Sequence, residues 1–193
     1  MNNPQAEDVV LEIKDKSELM VDLAYSSLLY KNKNIAEEVY DLENLIDELY
    51  EKLHRDILED VANHRLSVDS ALTIIKLAKA GEEIADAAQE IADVQLRDVE
   101  LHPIITMSLK ESDEVLTRVM VKEGSVLCGK TLGELKLGSE TGMTVIAMRH
   151  KNKWLYGPNK KTKVDTEDIL FAKGPEDAEK HLQDLAEGIT SEI

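Results

Sequence analysis

Apolar residues in the first third of the chain recur with the spacing of a helix. Between Ala6 and Tyr30, one face is formed by Val9, Ile13, Met20, Leu23, Ser27 and Tyr30. After the polar break Lys31–Asn34, the spacing alternates between four and three residues, at Ile35, Val39, Leu42, Ile46, Leu49 and Leu53. This seam is typical of an amphipathic helix. The pattern predicts two helices, the second with Asn34 as its N-cap and an end near Asn63.

A third helix is predicted from Ser67 to about Glu100, with Ser67 or Asp69 as its N-cap. We assign its large apolar residues to the core of the helical part; they are Leu72, Ile75, Ile84 and Ile91. Long helices joined by short connections pack as antiparallel bundles. The first hundred residues therefore predict a three-helix antiparallel bundle.

The pattern changes around His102 and Pro103, from helical spacing to short β-rich runs separated by glycines. The runs predicted to be strands are Val115–Val121, Met143–Met148, Lys153–Tyr156 and Asp168–Ala172. A short helix is predicted at Leu132–Leu135, and a closing helix from Pro175 to about Leu185. The fold class is a mainly α N-terminal antiparallel helical bundle followed by a small α+β domain.

This organisation divides the chain into four parts, and the charge is divided in a similar way. The bundle takes residues 1–102, a linker with a short helix at 104–110 takes residues 103–112, the α+β domain takes residues 113–186, and a tail takes residues 187–193. Residues 1–112 carry 11 Lys/Arg and 25 Asp/Glu, a net charge of −14, whereas residues 113–193 carry 12 and 14, a net charge of −2. The difference indicates two domains with different roles.

Composition places limits on location and partners. With 42% hydrophobic and 32% charged residues, the chain is typical of a soluble globular protein, without a run of about 18 apolar residues or a secretory signal pattern. Its one cysteine, Cys128, excludes an internal disulfide and is expected to be a small buried residue. We therefore expect a cytoplasmic protein, at most peripheral to a membrane transporter. The net charge of −16 leads us to expect no nucleic-acid partner.

The stretch Gly124–Thr131, GSVLCGKT, satisfies the phosphate-loop pattern G-x-x-x-x-G-K-[ST]. A phosphate loop follows a buried strand, opens a long helix and works with a second strand that ends in a magnesium-binding aspartate. Here Gly133 and Gly138 limit the following helix, and Asp168 precedes its strand. The five histidines also lack ligand spacing. We therefore expect no nucleotide hydrolysis and no other enzyme activity.

A basic segment, Arg149–Lys163, stands out in this acidic chain. It contains six Lys/Arg, His150, Trp154 and Tyr156, and no acidic residue. Cations neutralise phosphates and aromatic rings stack on bases, so the segment suits a small anionic ligand that carries rings. The alternative is a solvated hairpin whose tryptophan belongs to the core.

Two pairs of carboxylates form the second candidate site. Glu43 and Asp47 on the second helix, and Glu82 and Asp86 on the third, are each spaced i, i+4 and so share a helix face. Four carboxylates from adjacent helices could hold a divalent metal such as Mg²⁺, Mn²⁺ or iron. The alternative is an acidic, solvated surface.

The motifs of the α+β domain form a dense set. They are Val121-x-Glu123-Gly-Ser125-x-Leu127-x-Gly129-Lys-Thr-Leu132-x-x-Leu135, then Gly142-x-x-Val145-Ile-Ala147-x-Arg149, Pro158, Asp168-Ile-Leu170 and Gly174. In these positions residues 113–186 resemble the C-terminal ligand-sensing module of the RCK/TrkA potassium-conductance regulators, with Glu167 where that family usually has glycine. The resemblance implies a dimeric module that binds a small effector, in several relatives cyclic di-AMP.

The same resemblance implies that Arg149 and the turn at Pro158 contact the ligand at the dimer seam. Together with the basic segment, it leads to one set of candidate effector-binding residues: Ile146, Arg149, His150, Trp154, Tyr156, Pro158 and Lys160.

The helical half is similar to the PhoU family. Residues 81–92, GEEIADAAQEIA, look like the PhoU motif in which Glu-x-x-x-Asp pairs help to bind metal, although the arginine that usually precedes the motif is absent and Glu83 replaces another residue. The Rossmann half of RCK regulators is also missing, since G-x-G-x-x-G does not occur.

The two resemblances imply a cytosolic regulatory subunit, expected to be a homodimer, that couples a small anionic effector to a potassium or other cation transporter or channel. The alternative is a metal-dependent PhoU-like adaptor in phosphate signalling, in which the C-terminal domain only dimerises.

Overall fold

A computed structural model describes residues 4–97, 99–103, 114–151 and 153–193, which form two compact units. The described N-terminal unit contains α1 (Pro4–Leu29), α2 (Lys33–Ala62) and α3 (Val68–Leu96). The described C-terminal unit contains, in chain order, β1 (Glu114–Met120), α4 (Leu132–Leu135), α5 (Leu137–Glu140), β2 (Thr144–His150), β3 (Lys153–Tyr156), β4 (Ile169–Pro175) and α6 (Glu176–Glu187). The predicted fold class is confirmed. The short helix predicted at 104–110 lies outside the described residues.

The starts of α2 and α3 are set by polar side chains. The Asn32 side chain accepts hydrogen bonds from the backbone N–H groups of Asn34 and Ile35, at 3.0 and 3.3 Å. The N-cap is therefore Asn32, and the prediction of Asn34 was wrong, because Asn32 is the residue that adopts the extended backbone required of a cap. The Ser67 hydroxyl accepts from the N–H of Ser70 at 3.1 Å, which confirms one of the two predicted caps of α3.

The core of the bundle is built from large side chains of α1 and α2 and small side chains of α3. The predicted residues of α2 are buried except for half-buried Leu49. The buried face of α3 is instead formed by Ala71, Ala78, Gly81, Ala85, Ala88, Ala92 and Gln95. The prediction that Leu72, Ile75, Ile84 and Ile91 form the core was wrong, since Leu72 is 50% and Ile84 44% exposed and the other two are half-buried.

Close approach of α1 explains why small residues of α3 face inward. A Cβ atom added at Gly81 would lie 2.7 Å from Cγ2 of Ile13, so the helices have no room for a larger residue here. Small side chains allow large ones from the neighbouring helix to fill the space between the two axes. The large residues of α3 consequently point elsewhere.

The C-terminal unit is an antiparallel sheet with α6 packed against it. Among the described residues the strand order is β1-β4-β2-β3, and every pair is antiparallel. The sheet register shifts between Val145 and Ala147, which marks a bulge in β2. Contacts with α6 include a 2.8 Å bond from the Thr117 hydroxyl to Glu179. Phe171, in the inner strand β4, is fully buried.

Gly174, near the end of β4, has no room for a side chain. An added Cβ atom would lie 2.5 Å from the carbonyl oxygen of Gly142 and 2.7 Å from the sulfur of Met143. We expect Gly174→Ala to lower the free energy of unfolding of the C-terminal unit by about 1–3 kcal/mol, because the backbone must shift to accept the methyl group. Urea unfolding followed through the fluorescence of Trp154, the one tryptophan of the chain, measures this unit selectively.

Gly138→Ala is the matched control. A Cβ atom at Gly138 has the Thr144 hydroxyl as its nearest neighbour at 3.2 Å, and the residue lies in α5, where alanine is favoured over glycine. This variant should stay within about 0.5 kcal/mol of the wild type. Equal unfolding midpoints for the two variants would contradict the close packing at Gly174.

Candidate functional site

An open groove of about 420 Å³ lies on the C-terminal unit, between α4–α5, the start of β2 and the turn that follows β3. Its lining consists of Leu132, Gly133, Lys136, Leu137, Gly138, Ser139, Thr144, Val145, Pro158, Asn159 and Lys160. Among these described residues there are two lysines and no carboxylate. The groove therefore combines apolar walls with positive charge, as a site for a small anionic ligand would.

Backbone bonds hold the turn at Pro158–Thr162 against α4. The N–H of Gly133 donates to the carbonyl of Lys160, and the N–H of Leu132 donates to the carbonyl of Thr162, both at 2.9 Å. A Cβ atom at Gly133 would come within 2.7 Å of the Lys160 carbonyl oxygen, so this contact requires glycine. The position of Lys160 beside the groove thus follows from the residue type at position 133.

Side chains within the turn and at the start of α4 stabilise this arrangement. Asn159 Oδ1 accepts from the N–H of Lys161 at 2.8 Å, and the Thr162 hydroxyl accepts from the N–H of Asn159 at 3.1 Å. At α4, the carboxylate of Glu134 accepts from the N–H of Thr131, and this bond lowers the pKa of Glu134. The groove is therefore largely pre-formed, which reduces the entropy lost when a ligand binds.

At the other end of the β2–β3 hairpin, the aromatic and basic residues pack on the sheet. Trp154 stacks on buried Phe171, with ring centroids 5.1 Å apart. The guanidinium carbon of Arg149 lies 5.8 Å from the Trp154 ring centroid. His150 Nδ1 is paired with buried Asp168, whose other oxygen accepts from the N–H of Asp165 at 2.8 Å. These contacts give Trp154 and His150 structural partners.

The structure thus separates the predicted effector-binding residues into two groups. Pro158 and Lys160 line the groove, and the carbonyl of Ile146 accepts from the N–H of Gly157 at 2.9 Å, just before Pro158. Tyr156 is exposed at the end of β3.

The second group, Arg149, His150 and Trp154, lies further along the hairpin. Arg149 is three positions beyond Ile146 along the strand, a distance of roughly 10 Å.

Several groove residues were missed by the sequence interpretation. Lys136, Ser139, Thr144 and Asn159 all contribute to the lining. Lys136 has a left-handed backbone, with φ of 48°, because it joins α4 directly to α5. The usable signal was the pair of glycines at 133 and 138, one in each of the two short helices α4 and α5.

The loop Gly124–Thr131 uses its backbone donors inside the protein. The N–H of Gly129 donates to the carbonyl of Val164 at 2.7 Å, and the N–H of Cys128 donates to that of Ser125 at 3.1 Å. The Thr131 hydroxyl bonds Glu134, and the following helix has only the four residues predicted. The backbone N–H groups and the threonine hydroxyl that a phosphate loop uses to bind phosphate and magnesium are therefore hydrogen-bonded within the protein.

The one cysteine of the chain lies in this loop. Cys128 is half-buried rather than fully buried, with its sulfur 3.0 Å from the Thr166 hydroxyl.

The structure brings the predicted acidic residues of α2 and α3 near one another. Burial raises the pKa of Glu43, and the negative charges of Asp47 and Asp86 raise it further. Burial, followed by the charge of Glu82, raises the pKa of Asp86. Gln89 donates to Glu43 at 3.1 Å across the two helices.

One of these acids already has a cationic partner. Lys79 lies 2.5 Å from a Glu82 oxygen and neutralises that carboxylate. Within the ranges described, His, Cys, Asp and Glu form no group of three or more that could hold a metal ion. Metal binding by Glu43, Asp47, Glu82 and Asp86 stays a prediction.

Replacing Glu43 with glutamine tests the repulsion in this acidic cluster. The folded state holds the pKa of Glu43 above its ordinary value, so it binds the proton more tightly than the unfolded state does. The charge of Glu43 therefore lowers the stability of the folded state at neutral pH. This cost disappears as the pH falls below the ordinary pKa of a glutamate, because the side chain is then protonated in both states. We expect Glu43→Gln to raise the free energy of unfolding by a few tenths of a kcal/mol at pH 7, and by less at pH 4.

The measurement is chemical unfolding followed by circular dichroism, with a chelator present. Glu48→Gln, on the exposed side of α2, is the control and should change nothing measurable. A loss of stability in Glu43→Gln at pH 7 would show that the carboxylate is attractive rather than repulsive in its setting.

Comparison with known families matches both units. Residues 10–94 match the family model for the PhoU domain, and residues 116–186 match that for the TrkA-C domain. Both resemblances inferred from the motifs are confirmed.

Among curated proteins, potassium channel protein 1 of Methanocaldococcus jannaschii is 25% identical over 122 residues, which are 61% of this chain and 36% of the channel protein. Maltodextrose utilization protein MalA of Streptococcus pneumoniae is 28% identical over 97 residues, 48% of this chain and 36% of that protein. The chain spans about a third of the length of these relatives.

Among solved structures, the RCK_C domain dimer of S. agalactiae BusR in complex with c-di-AMP is 27% identical, with a TM-score of 0.36, and the match covers 38% of this chain and 91% of that one. BusR in complex with its busA-promotor DNA is 22% identical, with a TM-score of 0.36, and that match covers 62% of this chain and 66% of the BusR chain.

The expectation of no nucleic-acid partner was wrong as a general exclusion, because BusR, to which part of this chain is similar, is found in complex with promotor DNA. The exclusion was based on the net charge, which is a sum over the chain. A sum does not describe a local surface such as the basic segment Arg149–Lys163. A separate finding concerns membranes: none of the helices in the described ranges is long and apolar enough to cross a bilayer.

Proposed function

Because the chain joins a PhoU domain to a TrkA-C domain, we propose that it is a regulatory protein whose C-terminal unit binds a small anionic effector. In this proposal the bound state is passed on, through the PhoU domain, to a potassium or other cation transporter or channel in the cytoplasmic membrane. The observation that carries the proposal is the groove in the TrkA-C domain, lined by Lys136 and Lys160.

The chemistry of the groove favours a phosphate-containing ligand with an apolar or aromatic part. Two lysines offer charge-assisted hydrogen bonds to phosphate oxygens. Leu132, Leu137 and Val145 supply apolar contacts beside them. Cyclic di-AMP has two phosphates and two adenine rings, and it is the effector that the TrkA-C resemblance implies, so it is the first ligand to test.

Symmetry supports the same choice. Cyclic di-AMP is two-fold symmetric, and a two-fold dimer would present two copies of Lys160 and Pro158 to one ligand. The C-terminal units are therefore proposed to pair around a shared effector. An effector of this kind regulates only through a difference in affinity between two states of the protein, and coupling of 1–3 kcal/mol is typical of such systems (about 5–150-fold in affinity).

The proposed role is binding and not catalysis. The alternative of a metal-dependent adaptor in phosphate signalling depends on the acidic cluster of α2 and α3. Lys79 already engages one of its members, Glu82. We therefore place the effector site in the TrkA-C domain.

A thermal-shift panel on the whole chain tests the ligand class. The probes are cyclic di-AMP, AMP, NAD, inorganic phosphate and MnCl₂, each at several concentrations. A ligand at one hundred times its Kd stabilises the folded state by about 2.7 kcal/mol. We expect the largest shift with cyclic di-AMP, in the transition reported by Trp154. No shift with any phosphate-containing probe would overturn the proposal, and a shift with manganese alone would favour the metal-dependent adaptor.

A further inference from the structure

Helix α3 presents an apolar face that α1 and α2 leave largely uncovered. This α3 stripe repeats every seven residues and consists of Leu77, Ala80, Ile84, Ala87, Ile91 and Val94. Leu77 is 59% and Ile84 44% exposed, both alanines are exposed, and Ile91 and Val94 are half-buried. The stripe lies beside the buried face of the same helix, whose members from Ala78 to Gln95 each follow a stripe residue by one position, as Ala78 follows Leu77.

The regularity of the α3 stripe sets it apart from scattered surface residues. Its spacing alternates between three and four over 18 residues, a length of about 27 Å. Single exposed apolar residues are ordinary, but a continuous seam of this kind is typical of a helix that packs against another helix. The alternation of large residues with alanine also allows close approach of the two axes, at about 8–10 Å.

We propose that the α3 stripe packs against the same stripe of a second copy of this chain, with the two helices antiparallel. A pairing centred on Ile84 places Ile84 against Ile84 of the second copy. It also places Leu77 against Ile91, and it brings Ala80 to within one residue of the level of Ala87. Large side chains then meet large ones, and the alanine layers lie between them.

The charges along the edge of the stripe complement each other in this orientation. A flanking row, also spaced by seven, consists of Asp69, Lys76, Glu83, Glu90 and Arg97, all exposed. In the register centred on Ile84, Lys76 of one chain lies two residues, about 3 Å along the axis, from the level of Glu90 of the other chain, and Asp69 lies at the same offset from Arg97. Lysine and arginine side chains span this offset, and each pair occurs twice by symmetry. Only Glu83 faces a like charge.

A parallel pairing offers no such match. In a parallel pair, each residue of the flanking row faces the residue five positions later on the partner helix. For Lys76 and Glu83 these residues are Gly81 and Ala88. Both of these residues are buried within the bundle. The charges of the row therefore select the antiparallel orientation.

The size of the seam indicates that this contact is weak by itself. A face 27 Å long and one helix wide covers roughly 300 Å² per chain, well below the roughly 800 Å² per partner of a stable interface. The contact accordingly belongs to a dimer that has another point of attachment, which raises the effective concentration of the two stripes. This inference concerns the PhoU domain and does not require that the groove binds an effector.

Cysteine cross-linking tests both the partner and the orientation. The variants are made in a Cys128→Ser background. In the antiparallel pair, the Cα atoms of the two Ile84→Cys residues lie within roughly 7 Å of each other, the upper limit for a disulfide. Leu77→Cys places the two cysteines about 21 Å apart in the antiparallel pair, because 14 residues of helix separate them along the axis. Leu58→Cys, on an exposed position of α2, measures random collisions.

We expect Ile84→Cys to form a disulfide-linked dimer under mild oxidation and Leu77→Cys to form no more than Leu58→Cys does. Cross-linking of both stripe variants would show a parallel pair and overturn the register. Cross-linking of neither would overturn the interface.

Charge reversal gives an independent readout on the full chain by sedimentation equilibrium. Lys76→Glu and Glu90→Lys should each raise the dimer Kd about fivefold, since each breaks two exposed ion pairs. The double variant Lys76→Glu/Glu90→Lys should restore the wild-type value. Additive weakening in the double variant would show that the two residues do not meet, and would overturn the antiparallel pairing.

Discussion

Replacing Phe171 with alanine is expected to lower the free energy of unfolding of the C-terminal unit by about 3–5 kcal/mol, the usual cost of deleting a buried aromatic ring. Phe171 is fully buried in an inner strand, where its ring supports Trp154. Its removal leaves a cavity and takes away the stacking partner of the tryptophan. Unfolding in urea, followed by Trp154 fluorescence and by circular dichroism, measures the effect.

Leu155→Ala is the control for Phe171→Ala. Leu155 lies in the edge strand β3 and is 44% exposed, so its truncation should cost much less. If Phe171→Ala does not fold, Phe171→Leu retains most of the volume and should show a smaller loss in the same direction. Equal stabilities for Phe171→Leu, Leu155→Ala and the wild type would contradict the packing described for β3 and β4.

Reversing the charge of Lys160 is expected to weaken cyclic di-AMP binding by about 10–100-fold, because a hydrogen bond from a charged donor is worth about 1.5–3 kcal/mol. Lys160 lines the groove at a position set by the contact between its carbonyl and Gly133. Lys160→Glu replaces an attractive charge with a repulsive one at the phosphates. Isothermal titration calorimetry at fixed ionic strength measures the change in Kd.

Lys153→Glu is the matched control, since it makes the same charge change in the same basic segment. Lys153 lies at the far end of the hairpin, where it pairs in register with His150. Long-range electrostatics would weaken binding about equally in both variants. We expect a loss of no more than about threefold for Lys153→Glu, because solvent and salt screen an exposed charge at this distance. Equal losses would contradict the assignment of the ligand to the groove.

The helices and strands could be predicted from the sequence wherever periodicity and residue size agree. The seam of α2, from Ile35 to Leu53, is an example, because large apolar residues at helical spacing face the core. In α3 the two signals disagree. Its buried face is made of alanines and Gly81, which periodicity based on large residues ignores, and its larger residues at Leu77 and Ile84 point outward.

Burial by small residues depends on how closely a second helix approaches. That approach is a property of the packed structure and not of the α3 sequence alone. The contact between Gly81 and Ile13, which are 68 positions apart, could not be seen in either segment by itself. The prediction that the large apolar residues of α3 form the core was wrong for this reason. Some of those residues lie outside the core and belong to the α3 stripe.

The candidate site was predicted only in part, for a similar reason. Pro158 and Lys160 lie in the basic segment, and both reach the groove. Lys136 is more than twenty residues earlier, in a connection with a left-handed backbone, so no local pattern links it to them. His150 is also basic, but its pairing with Asp168 gives it a structural partner that local composition does not show.

The most direct test of the central claim is a calorimetric titration of the full chain with cyclic di-AMP, combined with light scattering of the same sample. The proposal predicts saturable binding with one ligand for two chains, on a particle of twice the 21.6 kDa chain mass. No binding up to millimolar ligand, or one ligand bound to each monomeric chain, would contradict it.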